Sequence, residues 1–453
     1  MAPIAHFASR PSLLAALLLV ALPHGSDAQT ARPAPIASLD TAWSAISRTY
    51  WDTVVVQGPW RAAFDSIRAT IKPTDDDDAV RRAIRALIAV PRQSHFTLIP
   101  GSAVPLPSAR SAGGADGRTR NERDRPGTLG LLVRSIGDTV VAWRVATDGP
   151  AARAGVRPGD QITGIDSVSI DTLRARITLG SGEDSGRVNR LVTTVVLARL
   201  GGDVGDSSEV TIRDAGGVTR THWLQRVPMT GHLTQMGNLP PIVVSATHDS
   251  IAVGRGRFAT VIRLSAWFPT VAPELDAYLF GSRGAAGLVI DLRGNPGGVV
   301  GMLAGVSGHM LDTAIALGVM RGRGATIRFV ANPRRVAPGG TRVEPFAGPV
   351  AILVDAFSAS TSEFFAAGMQ GIGRARIFGE RSAGQSLPAL MSRLPNGDVL
   401  MHAIADHEDS AGRRVEGAGV VPDEPVLLRR VDLRAGRDAA LEAARAWIAA
   451  QNP

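Results

Sequence analysis

The sequence predicts an α/β protein in three parts: an N-terminal helical segment, a mostly β module and a layered α/β core. Three observations predict this. Apolar residues recur at helical spacing between residues 36 and 90. Short β-rich runs separated by turn residues fill residues 126–227. From residue 237 onward, strand-like apolar runs alternate with helix-like stretches. A chain of 453 residues is too long for a single core, so two or three packed units are expected.

The first 28 residues have the features of an export signal. Arg10 precedes the apolar run Leu13–Leu22, and the small residues of Ser26–Ala28 suit a cleavage site. The run is too short to serve as a permanent membrane span, although an uncleaved anchor is the alternative interpretation. We therefore expect a mature protein that is periplasmic or extracellular and has no permanent membrane span.

The N-terminal helical segment is predicted at residues 36–100. Three stretches show helical spacing, and the third, "DDDDAVRRAIRALIAV", begins with acids that complement a helix dipole. The acidic run Asp75–Asp78 is interpreted as this solvated helix start and not as a metal site. The helices are predicted to end at Pro91.

The module at residues 126–227 begins with "GTLGLLV" and contains "GPAARAGVRPGDQITGID", which predicts a short helix, a turn and a strand. This stretch resembles a PDZ domain of the bacterial protease type. The resemblance implies that backbone N–H groups of the first run hold a peptide's C-terminal carboxylate while the peptide adds as an edge strand. The peptide-binding residues it implies are Gly127, Leu129, Gly130 and Leu131. The alternative is a β module that only packs on its neighbours.

The core is predicted at residues 237–430. The runs "FATVIRLSAWF", "AAGLVIDLRGN" and "GPVAILVDAF" are typical of buried strands, and "VAPELDAYLFGS" and "GGVVGMLAGVSGHML" are typical of the helices between them. Functional residues in such domains tend to lie where strands end. An amphipathic C-terminal helix is predicted within residues 431–453.

Composition excludes several classes of function. The formal charge is +8, but the basic residues are almost all arginines scattered among acids, which argues against nucleic-acid binding. The chain has no cysteine, which excludes disulfides, thiolate nucleophiles and Cys-ligated metals. No "HExxH", P-loop or dinucleotide motif is present, so we expect no metal and no cofactor.

Two strand-to-turn segments carry the candidate chemistry. "LVIDLRGNPGG" leads a buried strand into a glycine-rich turn that could bind a phosphate or a developing oxyanion. "AILVDAFSASTSEFF" repeats the pattern with a serine-rich turn before a helix. A strand ending in "DLRGNPGG" followed by one ending in "SAS-x-SE" resembles the C-terminal processing peptidases, serine proteases to which tricorn protease is related.

The resemblance implies a crotonase/ClpP-like core with an inserted PDZ-like domain, and it covers most of the chain after the export signal. It implies that Ser360 is the nucleophile. The oxyanion hole would be the N–H of Thr361 with that of Gly297 or Gly298.

The base departs from the commonest pattern of that family. Many members use a lysine in a "G-x-x-T-x-G-K" segment, and the matching stretch here, "GERSAGQS", has Gln385 in that place. A neutral amide cannot accept the serine proton. The only lysine is Lys72, in the helical segment, so a Ser–Lys dyad is not expected.

Tricorn-type members instead carry a Ser-His pair early in the chain and a glutamate before a "G-V-x-P-D" turn. By this resemblance His95 would be the general base, with Ser94 and Glu416 orienting it. His402 and His407 lie just before Glu416 in the chain and remain rival bases, because sequence alone cannot place them relative to Ser360.

The resemblance thus implies an exported serine endopeptidase that cleaves polypeptides through an acyl-enzyme and recognises substrate C-termini. Two alternatives remain open. The chain could be a catalytically inactive protein that binds peptides or apolar ligands on the same fold, or it could hydrolyse small esters or amides.

Overall fold

The structure, a computed structural model, describes residues 36–72, 74–101, 125–181, 185–235, 241–254 and 256–451. The export signal predicted at residues 1–28 lies outside the described residues. All described residues fall in one compact unit, Ala34–Pro453. No helix in this described part of the chain is long and apolar enough to cross a membrane.

The N-terminal segment is a small helical layer with an aromatic core. Its elements are α1 (Ile36–Thr49), α2 (Thr53–Val55), α3 (Arg61–Thr70), α4 (Asp77–Ile88) and β1 (Thr97–Ile99). The ring of Trp43 stacks on that of Phe64 with centroids 4.9 Å apart, and Trp60 is fully buried beside them. The Asp76 side chain accepts a hydrogen bond from Ala79 N and so caps α4, which gives part of the acidic run a structural use.

The next module is a twisted sheet covered by one long helix. Its elements are β2 (Pro126–Thr128), β3 (Leu131–Ile136), β4 (Thr139–Val145), α5 (Pro150–Arg153), β5 (Gln161–Ile165), β6 (Val168–Ser169), α6 (Ile170–Ser181), α7 (Ser185–Leu200), β7 (Gly202–Asp203), β8 (Ser207–Arg213), β9 (Thr219–Gln225) and β10 (Val227–Pro228). The main sheet has the order β3-β4-β5-β8-β9, so β3 is an edge strand. The apolar side of α7 packs on this sheet.

The core contains the remaining elements. They are β11 (His232–Thr234), β12 (Ile242–Val244), β13 (Ala246–Gly254), β14 (Arg257–Leu264), α8 (Ala272–Gly281), β15 (Gly287–Asp291), α9 (Met302–Gly308), β16 (Ile315–Gly322), β17 (Thr326–Ala331), β18 (Val350–Val354), α10 (Thr361–Gly371), β19 (Arg376–Gly379), β20 (Ala389–Arg393), β21 (Val399–Ala403), β22 (Ala405–Asp409), β23 (Glu424–Pro425), α11 (Arg430–Arg434) and α12 (Ala439–Gln451).

The central sheet of the core has the order β13-β14-β15-β18-β19-β23 and is parallel from β14 onward. Every residue of β15 and β18 is buried, because helices α8, α9 and α10 cover one face and α12 covers the other. The carboxyl ends of adjacent parallel strands lie at one edge of a sheet, so the glycine-rich and serine-rich turns meet there. A smaller sheet, β17-β16-β22, packs beside α10.

The helical segment is fixed to the core by strand pairing and by an ion pair. Strand β1 pairs antiparallel with β21, and Leu98 and Leu400 enter the core of the helical segment. The guanidinium of Arg81 on α4 donates two hydrogen bonds of 2.9 Å to the fully buried carboxylate of Asp398. The chain between α4 and β1 is therefore held against the core at both ends.

The residues after the central sheet hold the β module. Leu433 of α11 packs with Val141 and Trp143 of β4, and Arg430 Nε donates to Gly159 O at 2.6 Å. The amphipathic helix predicted within residues 431–453 corresponds to α12. The short helix α11 precedes it, and the chain turns between the two at Gly436 with a φ of +67°.

Candidate active site

Ser360 lies in a strained turn between β18 and α10. Its backbone has φ +52° and ψ −121°, a conformation that L-residues other than glycine rarely adopt. Two hydrogen bonds hold the turn: Ser360 N donates to Gln385 O at 2.8 Å and to Glu363 Oε2 at 3.1 Å. Strain of this kind concentrates at functional sites, where the surrounding structure maintains it.

The three serines of the turn differ in what their hydroxyls do. Ser358 Oγ donates to Leu292 O at 2.8 Å and accepts from Asp355 N at 2.9 Å. Ser362 Oγ accepts from the indole N–H of Trp267 and donates to a backbone carbonyl, and both serines are fully buried. Ser360 is half-buried, and its side-chain oxygen faces Glu363 N in a capping box at the start of α10. Its O–H donates no hydrogen bond among the described residues, which leaves that proton available for transfer.

The glycine-rich turn lies directly against Ser360. A Cβ built on Gly297 would come within 2.6 Å of Ser360 Cβ and 3.0 Å of Thr361 N, so no side chain fits there. Gly297 N donates to Asn295 Oδ1 at 2.9 Å and is therefore not available to a ligand. Within the described part of the chain, Gly298 N and Thr361 N have no acceptor. Thr361 Oγ1 bonds to Gly298 O at 2.9 Å and holds these two residues together.

Glu363 clamps the segment that follows β19 onto the turn. Besides Ser360 N, its carboxylate accepts hydrogen bonds from Ser382 Oγ at 2.5 Å, Gly384 N at 2.7 Å and Gln385 N at 2.8 Å. The side chain is fully buried, and this burial raises the pKa of Glu363 to about 7, an effect that the four donors oppose. The "SE" pair in the sequence predicts an acid at the start of the helix. The contacts of Glu363 with residues 382–385 could not be predicted, because no motif links these positions.

His95 lies between α4 and β1 and belongs to a short hydrogen-bonded chain. Its Nδ1 is 2.8 Å from Ser94 Oγ, and Ser94 Oγ is 2.9 Å from Glu416 Oε2. Ser94 N also donates to Glu416 Oε1 at 2.8 Å. Like Ser360, His95 has a positive φ, here +60°.

This chain of bonds determines the tautomer of His95. The carboxylate of Glu416 can only accept, so Ser94 must donate its hydroxyl proton to it. The Ser94 oxygen then accepts from Nδ1–H, which leaves the lone pair on His95 Nε2. Burial lowers the pKa of His95 to about 4, so the imidazole is neutral at neutral pH and can accept a proton there.

Two adjacent residues connect the hydrogen-bonded residues His95, Ser94 and Glu416 to the serine turn. Ser386 N donates to Glu416 Oε2 at 2.9 Å, and the carbonyl of Gln385 accepts from Ser360 N. The two groups of site residues are thus joined through one peptide unit. The exposed side chain of Gln385 makes no hydrogen bond among the described residues, and Lys72 lies in the loop between α3 and α4.

The rival histidines have other surroundings. His402 Nδ1 is 3.2 Å from Thr49 Oγ1 and its Nε2 is 2.9 Å from Ser392 Oγ, so both ring nitrogens are engaged. His407 is fully buried and stacks on Phe364 with ring centroids 3.4 Å apart. Neither of its nitrogens has a partner among the described residues. Among the described residues, none of the three histidines, His95 included, hydrogen-bonds to Ser360; His95 differs in its hydrogen-bonded connection to Glu416.

The four residues predicted to bind a peptide separate into two pairs. Gly130 and Leu131 line a cavity of about 1000 Å³ between the β module and the core. Gly127 is paired within the small β10-β2-β7 sheet, and the buried Leu129 side chain belongs to the core of the module. Neither of these two lines the cavity. No cluster of three or more possible metal ligands occurs among the residues that the structure describes.

Comparison with known proteins identifies both parts of this arrangement. Residues 259–426 match the profile of peptidase family S41, and residues 143–192 match that of the PDZ domain. The chain carries a peptidase S41 domain and a PDZ domain. The resemblance to C-terminal processing peptidases and the predicted fold class are confirmed.

The related sequences are carboxyl-terminal-processing proteases. The protein of that name from Picosynechococcus sp. is 26% identical over 281 residues, which span 61% of this chain and 58% of that protein. The one from Synechocystis sp. is 27% identical over 61% of this chain and 56% of its own length. The matched part therefore spans little more than half of these relatives. The chloroplastic C-terminal processing peptidase of Tetradesmus obliquus is 25% identical over 84% of this chain and 75% of its own.

Solved structures show the same fold. The photosystem II D1 C-terminal processing protease has a TM-score of 0.54 at 24% identity and covers 86% of this chain and 92% of its own. Mature CPAF complexed with lactacystin has a TM-score of 0.57 at 13% identity and covers 92% of this chain and 98% of its own.

Proposed function

We propose that the chain is an exported serine endopeptidase in which Ser360 is the nucleophile and His95 the general base. The observation that carries this proposal is the position of Ser360, whose O–H has no acceptor among the described residues, in a strained turn that is joined to the His95–Ser94–Glu416 chain through one peptide unit. The S41 domain supports a hydrolase, and the PDZ domain supports a polypeptide substrate.

The reaction follows from the roles of these atoms. Ser360 Oγ forms a bond to the scissile carbonyl carbon while its proton passes to His95 Nε2. The N–H groups of Thr361 and Gly298 donate to the oxygen on which negative charge develops. The C–N bond then breaks as His95 gives its proton to the departing amine. Water, deprotonated by His95, hydrolyses the acyl-enzyme and restores the serine.

The PDZ domain is proposed to hold the C-terminal segment of the substrate. Among the described residues, strand β3 has no strand paired to its outer edge, and the cavity beside it includes Gly130 and Leu131. A peptide added to this edge would gain main-chain hydrogen bonds. The boundaries of 126–227 for this domain and 237–430 for the peptidase core are proposed as its functional divisions. The predicted mature protein begins after Ala28, which mass spectrometry of the secreted protein would test.

Active-site labelling tests the nucleophile and the base together. Ser360→Ala should abolish both peptide hydrolysis and labelling by a serine-directed phosphonate, and His95→Ala should reduce both by about a thousandfold or more. The matched control is Lys72→Ala, which removes the chain's only lysine and should leave turnover unchanged. Labelling that persists in Ser360→Ala, or activity that disappears in Lys72→Ala, would contradict the assignment.

A second function stays open because Gln385 occupies the place of the family's usual lysine. If wild-type protein binds C-terminal peptides but neither hydrolyses them nor reacts with the phosphonate, the chain is a binding protein on a peptidase fold. Chromogenic esters and amides would separate hydrolysis of small molecules from proteolysis.

A further inference from the structure

The cavity between the PDZ domain and the peptidase core has walls from both. The PDZ side consists of the edge strand β3, part of β4 and one side of α7. The core side includes Arg263, Arg293, residues 354–357 at the end of β18 and the start of the serine turn, residues 379–380 and parts of residues 426–440. A peptide lying along β3 would therefore contact α7 on one side and the peptidase core on the other.

The charged residues that line this cavity are mostly cationic. Among the described residues, seven arginines line it, against four acids: Arg134, Arg144, Arg190, Arg263, Arg293, Arg429 and Arg437, with Asp355, Glu380, Asp432 and Asp438. One further acid, Asp291, is fully buried behind the wall. The cavity lining thus carries an excess of positive charge, while the chain as a whole has acids and bases in more even numbers.

Most of these arginines are neutralised by acids of the wall itself. Arg134 pairs with Asp355 at 2.9 Å, and Arg437 pairs with Asp432. Asp291 is shared by three guanidiniums, with N–O distances of 2.7 Å from Arg144, 2.8 Å from Arg293 and 3.6 Å from Arg263. One carboxylate facing three cations leaves positive charge uncompensated even after Asp438 pairs with Arg293 at 2.7 Å.

Two arginines of the lining, Arg190 and Arg429, have no carboxylate partner among the described residues. Arg190 is half-buried on α7, the helix that flanks the unpaired edge of β3. Asn189 and Thr193 from the same helix also line the cavity, so this side of α7 faces the space that a bound peptide would occupy. Leu132 of β3 adds an exposed apolar contact there.

We propose that this cavity selects peptides with an acidic side chain within the last few residues before the C-terminal carboxylate, and that the guanidinium of Arg190 binds this acidic side chain. The inference rests on the proposed function, since it assumes that the edge of β3 receives a substrate C-terminus. An unpaired guanidinium beside a main-chain binding edge attracts a carboxylate side chain and repels a basic one. The five arginines of the lining that pair with acids make the electrostatic potential of the cavity more positive without contacting the ligand.

Fluorescence polarisation with the full chain carrying Ser360→Ala would test this selection. The probes are short labelled peptides that are identical except for Glu or Gln near the C-terminus, each made as the free acid and as the C-terminal amide. The Glu peptide should bind about five- to tenfold more tightly than the Gln peptide, and high salt should reduce the difference. Arg190→Gln should remove that preference. The matched control Arg199→Gln removes the same charge from the same helix, outside the cavity, and should keep it.

Charge exchange makes the test specific. In Arg190→Glu, a peptide with Lys in place of Glu should become the tighter ligand. Equal binding of the Glu and Gln free-acid peptides to the unaltered cavity would overturn the acidic selection and leave C-terminal recognition standing. Equal binding of the free acids and the amides would instead overturn C-terminal recognition by the PDZ domain, and with it the premise of this inference. A preference for Glu that survives Arg190→Gln would overturn the role of Arg190.

Discussion

The two halves of the candidate site are assembled in different ways. The nucleophile half is local: the serine turn and its helix are consecutive in the chain, and the glycine turn ends the adjacent parallel strand. The base half combines Ser94 and His95 with Glu416, whose contact with Ser94 spans 322 residues of sequence. Local geometry can maintain the first half, whereas the second depends on how a separate helical segment is held to the core. Substitutions in the two halves should therefore lower activity or stability by different routes.

Among substitutions that keep Ser360 and His95, the largest effect should come from Glu416 in the base half. In Glu416→Gln, the amide NH₂ group would face donors, since the carboxylate now accepts from Ser94 N, Ser94 Oγ and Ser386 N. Because two donors face Oε2 and one faces Oε1, the amide oxygen should take the Oε2 position and the NH₂ group should oppose Ser94 N. This repulsion should displace Ser94 and the orientation of His95 that depends on it, so kcat should fall by about a thousandfold. Steady-state kinetics would measure this fall. A loss under about threefold would mean that Glu416 does not orient the base.

Gly297→Ala perturbs the geometry of the nucleophile half without changing its charge. The new methyl group would lie within 2.6 Å of Ser360 Cβ, and the backbone φ of +101° is unfavourable for alanine. Displacement of the proposed oxyanion donors, the N–H groups of Gly298 and Thr361, should lower kcat/KM by about a hundredfold. Gly301→Ala is the matched control, because a Cβ at Gly301 meets no atom within 4 Å. Equal kinetics of the two variants would remove the glycine turn from the mechanism.

Arg81→Ala tests the dependence of the base half on distant contacts. Burial raises the pKa of Asp398, but the hydrogen bonds from Arg81, Gly101 N and Asn396 together outweigh it, so the pKa lies below its ordinary value. Loss of Arg81 would leave a buried carboxylate without its counter-ion and should lower the free energy of unfolding by about 3 kcal/mol. Chemical denaturation would measure this. Arg61→Ala, which breaks an exposed ion pair with Asp65, should change stability by less than about 1 kcal/mol.

The smallest effect concerns His407, beside the nucleophile helix. Burial lowers the pKa of His407 to about 4, although Asp409 and Glu408 raise it. The unfolded-state pKa of a histidine is about 6.5. Between pH 6.5 and 4 the unfolded chain therefore binds more protons at His407 than the folded protein does, so the folded protein loses stability as the pH falls through this range. Glu363 has the opposite effect on the pH dependence of stability. Because burial raises its pKa to about 7, the folded protein loses stability as the pH rises toward and through 7.

His407→Leu should therefore flatten the acid side of the stability curve. It should also raise stability at neutral pH by about 1 kcal/mol, because neither ring nitrogen has a partner among the described residues. Thermal melts between pH 4.5 and 7.5 would show both changes. His402→Leu is the contrasting variant: its nitrogens contact two hydroxyls, so its loss should destabilise the fold. Loss of all activity in His407→Leu with the fold intact would restore His407 as a rival base.

Sequence was sufficient for the parts that depend on local pattern. The apolar runs predicted strands β14, β15 and β18, and the glycine-rich and serine-rich turns after two of them, singled out by sequence, lie against each other in the structure. The hydroxyl of Ser362 could not be assigned from sequence, because its partner Trp267 is distant in the chain. Gly297 and Gly298 were equivalent by sequence, and only the hydrogen bond from Gly297 N to Asn295 separates them. Arg134 and Asp355 meet across a domain interface, for which neither residue carries a local pattern.

The position of His95 between α4 and β1 has a consequence for biosynthesis. The ribosome makes Ser94 and His95 early, and their partner Glu416 emerges only after nearly all of the S41 domain. If the roles proposed for these residues hold, a nascent chain carries Ser360 before its proton acceptor can be aligned. Hydrolytic competence would then arise late in synthesis, once residues 94–95 and Glu416 have come together, which would limit premature hydrolysis by the nascent chain.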